Sequence, residues 1–174
     1  MRWWGALPFV AGACAALAAP APDLLVTADG RHLAVRSGEC IALLRPRTGD
    51  YTRGMLLETA GLSGEPAKLD ALPGASCSRD LCAADLSASA RSWRLLATRS
   101  TYLVDPAELA RACARADIVV SDRRLPRTRR PRWLKADRPL LSRTCGLAIR
   151  LGEEPDVRTV AQAVGRHPWV TLRP

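Results

Sequence analysis

The amino-acid sequence predicts an α/β fold: one folded domain over residues 23–174 behind an apolar segment over residues 1–22. Three features predict it. Short apolar runs separated by turn residues recur along the chain, as strands do. One well-signalled helix, in "DPAELARACARAD", stands between two of those runs, giving a strand–helix–strand unit. The composition agrees, because 48% hydrophobic and 25% charged residues make a globular balance and exclude a disordered chain. At 174 residues the chain is long enough for one substantial core.

The elements follow in order. "MRWWGALPFVAGACAALAAPAP" is apolar from Trp3 to Ala19, 17 residues, and ends at Pro20 and Pro22. Two readings stand side by side. A signal peptide has an apolar middle and small residues near its cut, and "ALAAPAP" offers them. The end of a transmembrane helix would anchor Trp3 and Trp4 at the interface, with 17 residues at the short limit for spanning. Either places the domain outside the cytoplasm or beside a membrane.

"DLLVTADGRHLAVR" reads as a hairpin around Asp29-Gly30, and "CIALLR" (40–45) adds a third strand, making a meander. Asp50 is placed to cap a helix that buries Leu56, Leu57 and Ala60 and stops at Gly61. Residues 63–76, with two prolines and two glycines, read as loose chain. "SWRLLATR" (92–99) is the next strand. Asp105 then caps the clearest helix, with Pro106 at its first position and Glu108 at the capping-box site. Leu109, Ala112, Cys113 and Ala116 form its buried stripe, and "DIVVSD" (117–122) is a buried strand. "SDRRLPRTRRPRWLKADR" reads as loop, punctuated by Pro126 and Pro131. A short helix over 137–144, begun by Asp137 and Pro139, a strand over 146–152 and a short helix over 158–164 complete the domain.

Several chemistries have no motif here. His32 and His167 each stand alone, and a metallo-hydrolase needs clustered His and Asp ligands. "GLSGE" has glutamate where a nucleophile elbow needs its second glycine, and no phosphate-cradling glycine loop occurs. Asp117 and Asp122 flank a strand as catalytic carboxylates would, but aspartates at strand boundaries commonly cap or solvate. No catalytic residue, metal ligand set, cofactor or small-molecule substrate is assigned, and the chain reads as a non-enzyme.

The charge is uneven. Residues 1–90 carry a net −1 and residues 91–174 a net +10, an asymmetry that points to a polyanion. Within 121–138, eight basic side chains surround one tryptophan. Arg123, Arg124, Arg127, Arg130, Arg132 and Lys135 are candidate phosphate contacts, and Trp133 a candidate stacking surface. Against this, 24 of the 26 basic residues are arginine, as a GC-rich genome yields without selection, and Trp133 is as suited to packing under the loop. Of the six cysteines, Cys77 and Cys82 lie close enough for a short-loop disulfide worth about 2 kcal/mol in an oxidising compartment. Zinc would lack its other ligands there, and two reduced thiols are the alternative.

Taken together, "LLVTADGRHLAVR", "CSRDLC", "RACARADIVVSDRRLP", "RWLKADR" and the closing "HPW" resemble the C-terminal soluble region of ComEC-type competence proteins. The resemblance is narrower with the alphaproteobacterial branch of this DNA-internalisation family, and covers nearly all of residues 23–170. It implies a polytopic inner-membrane channel that passes single-stranded DNA in natural transformation. It also implies a metallo-β-lactamase-like α/β domain, here degenerate because the family's metal-ligand histidines are missing. On this reading Trp3–Ala19 matches the last membrane helix of the channel, and the chain is a C-terminal piece of a larger protein. The expected partners are single-stranded DNA and the membrane-embedded channel domain, with the soluble domain on the periplasmic side of the inner membrane. Two departures stand out. Related sequences place cysteine, an implied partner for Cys113, where Arg129 stands, and a glycine pair where Cys145-Gly146 stands. The competing reading is a secreted or periplasmic disulfide-stabilised protein with no DNA role.

Overall fold

The computed structural model describes residues 6–18, 20–89, 91–100, 102 and 104–165. Trp3, Trp4, His167 and the "HPW" segment lie outside the described residues. Within the apolar segment, α1 (Ala6–Ala18) is a 13-residue helix with Leu7, Phe9 and Val10 exposed. A bilayer core needs about 20 apolar residues. Among the described residues no helix is long and apolar enough to cross a membrane; residues 3–5 and 19 of the Trp3–Ala19 segment lie outside them.

The expected meander is present as β1 (Leu24–Thr27), β2 (Leu33–Ser37) and β3 (Cys40–Leu43), paired antiparallel. Gly30 makes its first turn at φ +67°, and a Cβ there would sit 2.8 Å from both the Ser121 carbonyl oxygen and Leu141 Cδ1. The hairpin tip is thus pressed against the start of the basic stretch. The next helix, α2 (Asp50–Ala60), buries Leu56 and Ala60 and ends on Gly61 at φ +68°. Asp50 does not cap it. Gly49 holds the cap position, and Asp50, already helical, accepts from Arg53 at 2.6 Å one turn on.

Residues 63–76 are more ordered than their prolines and glycines suggest. They hold β4 (Ala67–Lys68), a 3₁₀ turn over Leu69–Ala71 and the start of β5 (Ala75–Cys77). A strand the sequence concealed, β6 (Leu81–Ala88), follows, and it pairs with β7 (Arg91–Thr98) through all eight of its positions. Alanine recurs among its apolar residues and none is β-branched, so propensity alone gives no strand signal; pairing supplies it. Further on come α3 (Pro106–Arg115), β8 (Ile118–Val120), β9 (Leu134–Ala136), α4 (Arg138–Thr144), β10 (Gly146–Arg150), β11 (Asp156–Thr159) and α5 (Val160–Val164). The cap of α3 is as expected: the Asp105 carboxylate accepts from the Ala107 and Glu108 amides, each at 2.9 Å.

The strands form two sheets, ordered β11-β10-β1-β2-β3-β4 and β5-β6-β7-β8-β9. The first is antiparallel except at β3–β4; in the second, β7, β8 and β9 run parallel. Alternation along the strands sets the layers. Leu24, Val26, Leu33 and Val35 share one cluster with Trp93, Leu95, Ile118 and Val120, so these faces of the two sheets pack on each other. The opposite face of the first sheet, with Leu25, Ala34, Ile41 and Leu43, packs on Leu56 and Ala60 of α2. The opposite face of the second, with Leu81, Leu96 and Val119, packs on Leu109 and Cys113 of α3. The result is a helix–sheet–sheet–helix sandwich, a mixed α/β architecture.

Candidate nucleic-acid interface

Parallel strands cannot be joined by a tight turn and need a crossover of roughly a dozen residues or more. β8 and β9 are parallel, and the chain between them, residues 121–133, is most of the basic stretch. The loop expected over 121–138 is therefore a crossover that ends in a strand at Leu134 and a helix at Arg138. Its anchorage is made of buried carboxylates. Asp117 accepts the Arg94 amide on its side chain at 2.8 Å, and its carbonyl accepts the Trp133 and Leu134 amides at 3.0 and 2.9 Å. Asp137 does not cap α4 through its side chain. Its carboxylate instead accepts the Leu125 amide at 3.1 Å and lies 3.4 Å from Lys135 Nζ. Asp122 accepts from the Thr98 hydroxyl at 3.3 Å and lies 3.7 Å from Arg45 Nη2, which ties the crossover to the first sheet.

This anchorage divides the candidate contacts. Lys135 donates to the Leu125 and Pro126 carbonyls at 3.1 and 3.2 Å, besides its pairing with Asp137, so its ammonium holds the loop together. Arg123 donates to the Ser100 and Tyr102 carbonyls, both at 2.7 Å, and fastens the β7–α3 loop. Both cations are spent internally. Arg124, Arg127, Arg130 and Arg132 are exposed. Among the described residues the first three have no carboxylate within ion-pair distance, and Arg132 approaches Asp117 only at 4.0 Å. Arg138, exposed at the start of α4, also lacks one and belongs with them. Trp133 is half-buried, its ring edge-on to the fully buried Trp93 with centroids 5.0 Å apart. It supports the loop from below and keeps part of its surface accessible.

Beside the crossover lies a groove of about 270 Å³, bounded by the loops that follow the parallel strands β7 and β8 and by the first turn of α3. Leu109, Leu125 and Val104 line it with apolar surface, and Arg123, Arg124 and Arg129 border it. Nothing in the sequence spacing brings residues 104–109 against 121–129; only the crossover does. Arg129 closes the groove by donating to the Pro106 carbonyl at 3.2 Å. Beneath it, burial pushes the Cys113 thiol up from its ordinary range, and the charges of Arg129 and Lys135 offset only part of that.

The expected Cys77–Cys82 disulfide is present, joining paired positions of β5 and β6 at a Cα separation of 4.0 Å. Cys14, Cys40, Cys113 and Cys145 are free. Cys145 ends α4 at φ +56° and Gly146 follows at φ +119°, so both positions have backbones that suit glycine. Among the described residues no group of three or more His, Cys, Asp or Glu is placed to hold a metal ion. His32 shares a 3.3 Å contact between its Nδ1 and the Thr48 hydroxyl. No protein-family model matches the chain, and no curated protein or solved structure is significantly similar to it.

Proposed function

We propose that the protein is the soluble C-terminal domain of a ComEC-type DNA-uptake protein, catalytically inert, that contacts single-stranded DNA through the β8–β9 crossover. The carrying observation is the division of the basic stretch. One set of cations fixes the loop, and Arg124, Arg127, Arg130, Arg132 and Arg138 are left exposed on a fixed frame with little or no carboxylate to neutralise them. Such a set gains free energy from phosphate by releasing counterions. The resemblance draws further support from the fold: the sheet-on-sheet sandwich with a helix layer on each face is the arrangement that it implies for a metallo-β-lactamase-like domain. In this reading Trp3–Ala19 is the end of a channel helix, the membrane-embedded channel domain is the partner, and the domain faces the periplasm of a bacterial inner membrane.

The test is salt-dependent binding of a single-stranded oligonucleotide. The triple variant Arg124→Ser, Arg127→Ser, Arg130→Ser removes three exposed charges without a carboxylate partner among the described residues, whose one side-chain hydrogen bond there runs from Arg130 to the neighbouring Arg127 carbonyl at 3.3 Å. The slope of log K against log salt is expected to become shallower by about 2, at roughly 0.7 for each phosphate no longer neutralised. Binding whose affinity stays flat as salt rises would count against the electrostatic role.

A second reading, a secreted or periplasmic protein with no DNA role, accounts equally well for the Cys77–Cys82 disulfide, which belongs to an oxidising compartment. N-terminal sequencing of the mature product separates the two. A new terminus near Ala21 favours secretion, and an intact Trp3–Ala19 favours the tether.

A further inference from the structure

We infer that the groove between α3 and the β8–β9 crossover is a subsite for one nucleotide of a single strand, with the base inside and its phosphate at the rim. This deepens the DNA-contact reading and rests on it. Four observations carry the assignment. The groove lies beyond the carboxyl ends of the parallel strands β7 and β8, where the loops of α/β sheets leave a crevice open to ligands. Its charge is unbalanced: Arg123 is paired with Asp122 at 3.6 Å, and the other two lining guanidinium groups, of Arg124 and Arg129, face one lining carboxylate, Asp105, which already accepts two amides of α3. Its walls are of mixed character, with apolar Val104, Leu109 and Leu125 set against the cationic rim. Its volume, about 270 Å³, falls just below the roughly 300–1,000 Å³ of drug-sized sites, so it suits a single ring system with its attached group.

A planar base would meet apolar side chains, and its 5′ or 3′ phosphate would meet guanidinium groups. Duplex DNA, whose bases are stacked and paired, cannot present this combination without extruding one. The groove therefore distinguishes single strands from duplex, which exposed loop arginines alone do not. Arg124 is the rim residue free to take the phosphate, because Arg123 and Arg129 each donate to backbone carbonyls.

The experiment titrates the full chain with a fluorescent oligothymidylate and with a duplex of equal length, at two salt concentrations. Three proteins are compared: the parent, Val104→Phe, and the double variant Arg127→Ser, Arg130→Ser. Val104 is half-buried at the groove, so a phenylalanine there fills the space and leaves every charge in place. Thermal melting of each protein confirms that it is folded before titration. Val104→Phe is expected to lose about ten-fold in single-strand affinity, to keep the parent's salt slope, and to bind duplex as the parent does. The double variant is expected to lose affinity for both forms and to become less salt-dependent. If Val104→Phe binds the oligothymidylate as the parent does while salt dependence stays steep, the groove subsite is overturned and the electrostatic reading stands. If no protein binds either DNA, both fall together.

Discussion

Cys145 shows how one backbone angle ranks the alternatives at a position. An L-residue at φ +56° brings its Cβ toward its own carbonyl, a strain of about 1 kcal/mol that glycine does not carry. Cys145 forms no disulfide that would offset this. Replacing it with glycine is therefore expected to raise stability by up to about 0.6 kcal/mol, once roughly 0.4–1 kcal/mol is deducted for the greater freedom of glycine in the unfolded chain. Urea denaturation checks it, with a higher midpoint and an unchanged m-value as the expected result. Gly146 is the opposite case, since a Cβ there would press on the Val26 carbonyl oxygen at 3.0 Å. Cys113 is governed by burial in place of backbone angle. Its side chain is fully enclosed between α3 and the second sheet, and its raised pKa keeps it a protonated, apolar thiol. The residue fits the core without the partner that the family resemblance implies for it.

The crossover between β8 and β9 is the element on which the candidate site depends, and its integrity rests on Asp137. This carboxylate is buried, and it holds the Leu125 amide and the Lys135 ammonium from the middle and the end of the stretch. Asp137→Ala is expected to cost about 2 kcal/mol, because it strands a buried amide and removes the counter-charge of Lys135. It is also expected to speed tryptic cleavage after the loop arginines, read by mass spectrometry of timed digests. A loss of stability without faster cleavage there would mean that the loop is held by other contacts. The sequence made parts of this visible and hid others. "DPAELARACARAD" announced α3 because its cap, its proline and its buried stripe are all local signals. β9 stayed hidden because three residues of mixed character, Leu134 to Ala136, become a strand only when β8 lies beside them. For the same reason Asp137 read as a helix cap: its real partners, Leu125 and Lys135, are chosen by the crossover. β6 was invisible because its alanines carry no propensity, and its strand character comes from β7.

At the scale of the whole molecule, layering and charge distribution act together. The two sheets bury each other and the helices cover their outer faces. The second half of the sequence contributes a net +10 against −1 from the first. That imbalance was legible from composition alone. Which cations are free was not, because Arg123 and Lys135 differ from Arg124 and Arg127 only in the partners that folding gives them. Like charges held close on one compact body repel one another, so the folded state should be weakest at low ionic strength and gain from any counter-charge that binds it. Melting at about 20 mM salt is expected to occur at a lower temperature than at about 200 mM, where the Debye length is shorter than the span of the loop. At low salt, single-stranded DNA at about 100 times its Kd should add about 2.7 kcal/mol by mass action. For a chain of this size that is a rise in Tm of roughly 5–10 °C. The increment should shrink as salt rises, because the affinity that produces it falls with counterion concentration. A neutral polymer such as dextran serves as the control and is expected to move Tm by far less. A DNA-induced rise of the same size at both salt concentrations, or one matched by dextran, would show that the basic half does not act through its charge.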